Sequence, residues 1–426
     1  MSMEKFTVTL KTITPLFLGG AEPDKCVEFR APSIKGAMRF WYRTIDAEYV
    51  NYEGKIFGSL EDGQGVFSIK LLTNARRANG FIKSNYDLLS VGTGRHTKNG
   101  VIYLGFSLET GNQRFGNYRQ RKYIDAEENI RFEIIFKKNP DVKVKRVILS
   151  SIWLLGHIGG LGSRSRRGFG TVALQSWNSN WDECADLPIA HQAKSTDQWM
   201  NDFKKGLHTL KKWFKEFTIH DHSIFDKNTM FYMFNTGQNA KTISKDIKGK
   251  NESRHFQAWE MALHDAGMSM QSFRQRYDLA DKKSDYYKVK EHLAFIDNTG
   301  KASGKWGITA NKISEAPKRV VFGLPLTFQS SYQDGLKSNG KPNYCSVSTS
   351  FIGEKHERNA SPIFIRIVKI NSICHPFYIR LDFPFLEENE KVKDGVDSYK
   401  MQDTSILDDF WKYMKSKNNG IEVSWK

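Results

Sequence analysis

Twelve residues, Gly159 to Gly170, constrain this chain more than any other stretch. They read Gly-Gly-Leu-Gly-Ser-Arg-Ser-Arg-Arg-Gly-Phe-Gly, five glycines and three arginines. An apolar, helix-like run from Val147 to Ile158 precedes them, and a strand-like run from Phe169 to Leu174 follows. The fold must therefore pass from a buried helix into a strand through a glycine-shaped loop. Glycine lets backbone amides approach a ligand closely, and arginine adds planar, permanent positive charge. Both suit a phosphate backbone. The loop is neither a P-loop nor a dinucleotide fingerprint, because those lie between a strand and the helix that follows it. It also lacks Gly-Lys-Ser/Thr.

Upstream, Phe6 to Ile13 alternates at period two and reads as a strand, continued by Thr14-Pro15-Leu16-Phe17-Leu18-Gly19-Gly20. Ser33 is the expected N-cap of a helix whose Ile34, Met38, Trp41 and Ile45 recur at helical spacing and face a core. Lys35, Arg39, Tyr42 and Arg43 form the adjacent stripe, free to meet an anion. Gly65 to Leu71 and Ile130 to Phe136 read as further strands. The resulting order, strand-helix-strand twice over, predicts a split βαβ, ferredoxin-like domain over residues 1–181.

A polar linker around Asp182 to Ser195 opens the second half, residues 182–426. Helical patterns run from Thr196 to Phe217 and from Phe256 to Tyr277, and a terminal helix from Ser405 to Lys415. Lys282 to Asp285 and Asp297 to Gly300 read as exposed loops. Strand patterns cover Arg319 to Gly323, Ile363 to Val368 and Phe377 to Leu381. Ile56-Phe57-Gly58 before Val66 to Ile69 is echoed by Val321-Phe322-Gly323 before Ile363 to Ile367. The echo suggests a duplication. The expected class is α+β, with two ferredoxin-like (RRM-like) domains and a helical insertion in the second half.

Charge points to a polyanion. The formal net charge is +17, an excess that goes most often with nucleic acid and less often with an anionic membrane. From Gly63 to Ile124 the only acids are Asp87 and Glu109, against Lys70, Arg76, Arg77, Lys83, Arg95, Lys98, Arg114, Arg119, Arg121 and Lys122. Phe115, Tyr118 and Tyr123 interleave with the last of these. From Val142 to Trp181 there is no acid at all. Cations that hold phosphates and rings that stack bases suit single-stranded RNA. No RNP1 signature appears, so stacking on a sheet face is not expected. Cys26, Cys184, Cys345 and Cys374 are scattered without CxxC, which predicts a reducing, cytoplasmic setting. No apolar run is long enough to span a bilayer.

Candidates for catalysis are few. His220-Asp221-His222 with Asp226 offers no defined third-ligand spacing. Asp24 is the one acid worth testing for metal-assisted RNA cleavage, and two-metal chemistry normally needs several carboxylates. An RNA endonuclease therefore stands as the alternative to an RNA-binding protein.

Thr14 to Gly20, Arg30-Ala31-Pro32-Ser33-Ile34-Lys35-Gly36-Ala37-Met38-Arg39-Phe40-Trp41-Tyr42-Arg43 and the glycine-arginine loop together resemble the RAMP superfamily of CRISPR proteins. Within it they are most similar to the first subunit of Cmr (type III-B) effector complexes, as is Arg358-Asn359-Ala360-Ser361-Pro362 before a strand. The resemblance implies two ferredoxin-like domains and a non-catalytic subunit near the 3′ end of the guide RNA. Such a subunit lies beside other RAMP subunits and helps capture single-stranded target RNA. No cofactor, metal or membrane is expected. By motif position, Lys35, Arg39 and Arg43 line the RNA side of the first helix. Gly159, Gly160, Gly162, Arg164, Arg166, Arg167, Gly168 and Gly170 form the loop that approaches the RNA backbone. The long interval between Asn180 and Lys318 departs from the family pattern.

Overall fold

The computed structural model describes residues 4–73, 77–93, 97–111, 117–178, 180–214, 229–247, 249–279, 285–381, 385–401 and 403–424. The His220, Asp221, His222 and Asp226 group lies outside the described residues, as do Arg76, Arg95, Arg114, Phe115 and Lys282 to Ser284. The main elements run in the order β1 (Lys5–Thr12), α1 (Ala31–Ile45), α2 (Tyr49–Phe57), β2 (Phe67–Leu71), β3 (Asn129–Phe136), α3 (Val142–His157), β4 (Val172–Asn178), α4 (Thr196–Trp213) and β5 (Met230–Phe234). There follow β6 (Lys241–Ile247), β7 (Lys250–Phe256), α5 (Ala258–Leu279), α6 (Asp285–Ile296), β8 (Leu326–Leu336), β9 (Pro342–Gly353), β10 (Ile363–Ile370), β11 (Ile373–Arg380), α7 (Ser405–Lys417) and β12 (Gly420–Ser424). Shorter helices and strands join them.

The chain forms two compact units. The first comprises Met1–Ser269, Ile363–Phe383 and Asn418–Lys426; the second comprises Met270–Pro362 and Pro384–Lys417. Two four-stranded antiparallel sheets make up the first unit, in the orders β4-β1-β3-β2 and β10-β11-β5-β12. In both, the chain-last strand pairs with the chain-first, which pairs with the third, which pairs with the second. Both copies of the sequence echo lie ahead of the second strand of a sheet, the later one with the β8–β9 hairpin in between. Phe57-Gly58 precedes β2 and Phe322-Gly323 precedes β10, and both glycines have positive φ, +87° and +122°.

Local patterning explains the first sheet. Phe6, Val8, Leu10 and Thr12 of β1 and Ile130, Phe132, Ile134 and Phe136 of β3 alternate with more exposed residues and enter the core. Asp141 caps α3 by accepting a 2.8 Å hydrogen bond from the Val144 amide. From Val147 to His157 every residue of that helix is buried. A helix buried all round must be covered on several sides. Part of the cover comes from α4, capped by Ser195. Phe203 of α4 stacks on Trp153 at 5.5 Å, and Trp199 meets Phe377 of β11 edge-on at 5.2 Å.

Three expectations change. The 180–318 interval is not simply a helical insertion: it holds β5, the first strand of the second sheet, and the β6–β7 hairpin. Arg319 to Gly323 is not a strand but lies in a 3-10 helix, Lys318–Phe322, followed by the positive-φ glycine. The expected linker after Asp182 is packed, with Leu187, Ala190 and Ala193 buried around two 3-10 turns. The mixed α+β class stands.

The second unit holds α6, the long β8–β9 hairpin and α7. Phe273, Phe322 and Phe410 meet edge-on in its core. His292 Nε2 lies 2.6 Å from the Asp394 carboxylate, both fully buried.

Candidate nucleic-acid interface

The first helix begins at Ala31, with Arg30 at the N-cap position and no side-chain cap; Pro32 sits in the first turn and Ser33 inside the helix. Ile34, Met38, Trp41 and Ile45 are buried, as their spacing predicts. Tyr42 does not belong to the open stripe. It is fully buried and donates its hydroxyl proton to Asp46 at 2.6 Å, and burial raises its pKa. The basic stripe is largely neutralised from within. Glu53 of α2 forms an ion pair with Arg39, 2.9 Å from its Nε, and accepts a two-pronged hydrogen bond from Arg43 at 2.7 and 2.6 Å. Arg39 also donates to the Gly58 carbonyl. Lys35 lies 4.8 Å from the Phe67 ring, and burial, then Arg39 and Lys137, push its ammonium down.

The glycines of the 159–170 loop have a packing reason. Gly162 and Gly170 have positive φ, +78° and +63°. A Cβ on Gly162 would come within 2.3 Å of the Phe17 carbonyl oxygen, and one on Gly170 within 2.0 Å of the Leu161 carbonyl oxygen. Amides in the loop serve the fold: Ser163 N donates to Phe17, Leu161 N to Gly170 and Gly170 N to Pro15. β4 consequently starts at Val172, later than expected, and Phe169 is buried edge-on against Phe17 and Phe81. Gly170→Ala is expected to cost about 1–3 kcal/mol through backbone strain and the carbonyl clash. Thermal melts check it, and an unchanged Tm would refute the packing account.

The three arginines of the loop diverge. Arg166 turns inward; its guanidinium carbon sits 4.5 Å from the Phe364 ring and 5.3 Å from Phe40, and burial pushes its pKa down to about 10. Its carbonyl accepts a 3.0 Å hydrogen bond from the Ile365 amide of β10. Arg164 sits at φ +64° and donates to the Ser107 hydroxyl at 2.6 Å. Burial, and then repulsion from Arg167 and Arg121, push the Arg164 guanidinium down to about 10. Arg121 in turn donates to the Ser163 hydroxyl at 2.7 Å. Three guanidiniums are thus gathered at one place, two of them steadied by serine hydroxyls. Among the described residues neither Arg121 nor Arg164 is paired with a carboxylate. An arrangement of this kind attracts an anion with several oxygens.

Two residues escaped the motif reading. Arg121 lay in the basic run but away from the glycine loop. Arg366 of β10 is fully buried and donates to the carbonyls of Gly156, Gly159 and Val172. It thereby satisfies the C-terminal carbonyls of α3, where the helix dipole favours a cation. Arginine within the apolar run Ile363-Phe364-Ile365-Arg366-Ile367-Val368 is the signal that could have found it. Asp24 lies in a half-exposed turn, and among the described residues no group of three His, Cys, Asp or Glu could hold a metal ion.

Residues 9–173, from β1 through the arginine loop to the start of β4, match the RAMP superfamily. The chain carries a RAMP segment. This bears out the resemblance read from Thr14 to Gly20, Arg30 to Arg43 and the loop. The chain is 28% identical over 184 residues to the CRISPR system Cmr subunit Cmr1-2 of Pyrococcus furiosus, covering 39% of this chain and 92% of that protein. It is 29% identical over 216 residues to Cmr1-1 of the same organism, covering 49% and 57%. Its fold is similar to the apo crystal structure of Pyrococcus furiosus Cmr1, with a TM-score of 0.53 at 18% identity over 99% of this chain and 98% of that one. The RAMP segment holds Arg121, Arg164 and Arg167; Arg366 lies outside it.

Proposed function

We propose that this chain is a non-catalytic, RNA-binding subunit of a type III-B (Cmr) CRISPR effector complex. The observation that carries the reading is the Arg121–Arg164–Arg167 cluster, with Arg121 and Arg164 free of carboxylate partners among the described residues. Likeness to Cmr subunits supports the complex. In this reading the chain contacts guide RNA near its 3′ end, helps capture single-stranded target RNA and sits beside other RAMP subunits in the cytoplasm. Two ferredoxin-like domains, 1–181 and 182–426, form its halves. The cluster positions phosphates and leaves sequence to base pairing. Lys35, Arg39 and Arg43 form a weaker zone, because a phosphate there competes with Glu53 for both arginines. The loop glycines and Arg166 shape the surface that carries Arg164 and Arg167.

The test is binding of labelled single-stranded RNA to the purified chain across a salt series, with and without Mg²⁺. Arg121→Ala with Arg164→Ala is expected to flatten the log–log salt slope by about 1.4, about 0.7 for each lost phosphate contact. A wild-type slope in the double variant would remove the cluster from the interface. Metal-dependent cleavage by the wild type would replace the non-catalytic reading with a nuclease.

A further inference from the structure

The turn that anchors Arg164 also displays an aromatic ring. Phe106 is 70% exposed, follows the short helix Gly100–Leu104, and has no ring contact among the described residues. Its neighbour Ser107 sits at φ +74°, a left-handed conformation unfavourable for a non-glycine residue. That strained serine is the residue whose hydroxyl accepts the Arg164 guanidinium, itself on a residue at φ +64°. Two strained non-glycine residues joined by one hydrogen bond are a sign of a site held in a specific shape.

The turn is fixed from every side that touches protein. Leu108 N donates to the Gly105 carbonyl, and the Leu108 carbonyl accepts from Arg121 N, each at 2.9 Å. Gly105 rests on Phe81, where a Cβ would lie 2.9 Å from the ring tip. Phe81 is in turn packed on Phe17, Tyr86 and Phe169. The exposed ring therefore stands on a rigid buried base, and the same turn is bonded to two of the clustered arginines.

We infer that Phe106 is a stacking platform for one unpaired base of single-stranded RNA whose phosphate lies on Arg121, Arg164 and Arg167. The inference rests on the RNA-binding reading above. A ring presented beside phosphate-holding cations offers a base its π-face without hydrogen-bond readout, so any of the four bases fits. The hydrogen bonds that outweigh the strain at Ser107 and Arg164 keep ring and cations in one geometry before RNA arrives.

The probes are a short oligouridylate and an abasic ribose-phosphate oligomer of the same length and charge, each titrated into the full chain. Phe106→Ala is expected to weaken oligouridylate binding about 5- to 100-fold. It leaves abasic binding, salt slope and Tm at wild-type values. Phe106→Trp keeps wild-type affinity. If Phe106→Ala binds oligouridylate as the wild type does while Arg121→Ala with Arg164→Ala does not, stacking is refuted and the RNA reading stands. If neither variant changes binding, the RNA reading fails at this surface as well. Loss of association with a partner protein in Phe106→Ala, at unchanged RNA affinity, would overturn the inference in favour of a protein contact.

Discussion

Arg366→Met is expected to lower the stability of the chain by about 3–5 kcal/mol, because it strands buried carbonyls that no water can reach. The Gly156, Gly159 and Val172 carbonyls all accept from this one guanidinium, and His191 Nε2 also reaches the Gly156 carbonyl. Burial pushes its pKa down to about 9, which leaves it charged at neutral pH. Lysine is not a substitute. A single ammonium on a flexible stem cannot span three carbonyls as a planar fork does. Urea unfolding of the wild type, Arg366→Met and Arg366→Lys checks this, and a midpoint shared by all three would refute it. RNA binding should weaken in parallel, since Gly159 opens the loop that carries Arg164.

Acid should destabilise the same region. His157 is buried and His191 half-buried beside Arg366, and both are hydrogen-bonded as neutral rings. His157 lies 2.7 Å through Nδ1 from the Trp153 carbonyl, which fixes Nδ1 as the donor, and accepts from the Ala190 amide at 3.1 Å through Nε2. His191 Nε2 lies 2.8 Å from the Gly156 carbonyl. Burial, then His191 and Arg366, hold His157 well below its ordinary pKa. Burial and then Arg366 push His191 down to about 3. Below pH 6.5 the unfolded chain takes up protons at both positions and the folded chain does not, so stability falls as pH falls. Each ring contributes up to about 1.4 kcal/mol per pH unit. Together they remove about 3 kcal/mol between pH 6.5 and pH 5. Two other groups nearly cancel over that range. His264, at about 4, adds to the loss; Asp265, raised to about 6, is protonated in the fold and opposes it. Urea midpoints at pH 7.5, 6 and 5 test the sum. A flat profile would show that the rings protonate without unfolding, and His157→Gln with His191→Gln should flatten a steep one.

The legible parts of this chain were those governed by a single period. The patterns of Phe6 to Ile13 and Ile130 to Phe136 located two strands, and the helical spacing of Ile34, Met38, Trp41 and Ile45 fixed which face of α1 is buried. What failed was anything decided by a partner far along the chain. Tyr42 and Arg39 share a helix surface, and only the placement of Asp46, Glu53 and Gly58 decides that one is buried and the other ion-paired. Met230-Phe231-Tyr232-Met233-Phe234 has no alternation, because four of its five residues are buried, so period-two reading passed over the strand that begins the second sheet. Glycine at Gly162 and Gly170 signalled a close approach correctly, but the sequence could not say whether ligand or protein backbone made it. In the arginine cluster, one member lies more than forty residues from the other two, so no local motif could have joined them.

Arg366 also bears on how the molecule can be divided. The stretch shared with the RAMP superfamily ends at residue 173, yet the cation that closes the end of α3 comes from residue 366. Trp153 on that helix likewise leans on Phe203. A fragment trimmed to the shared stretch would keep the first-helix and glycine-arginine motifs and lose the groups that let its central helix end inside protein. The stretch that matches the superfamily and the stretch that closes its own central helix are therefore different lengths of chain.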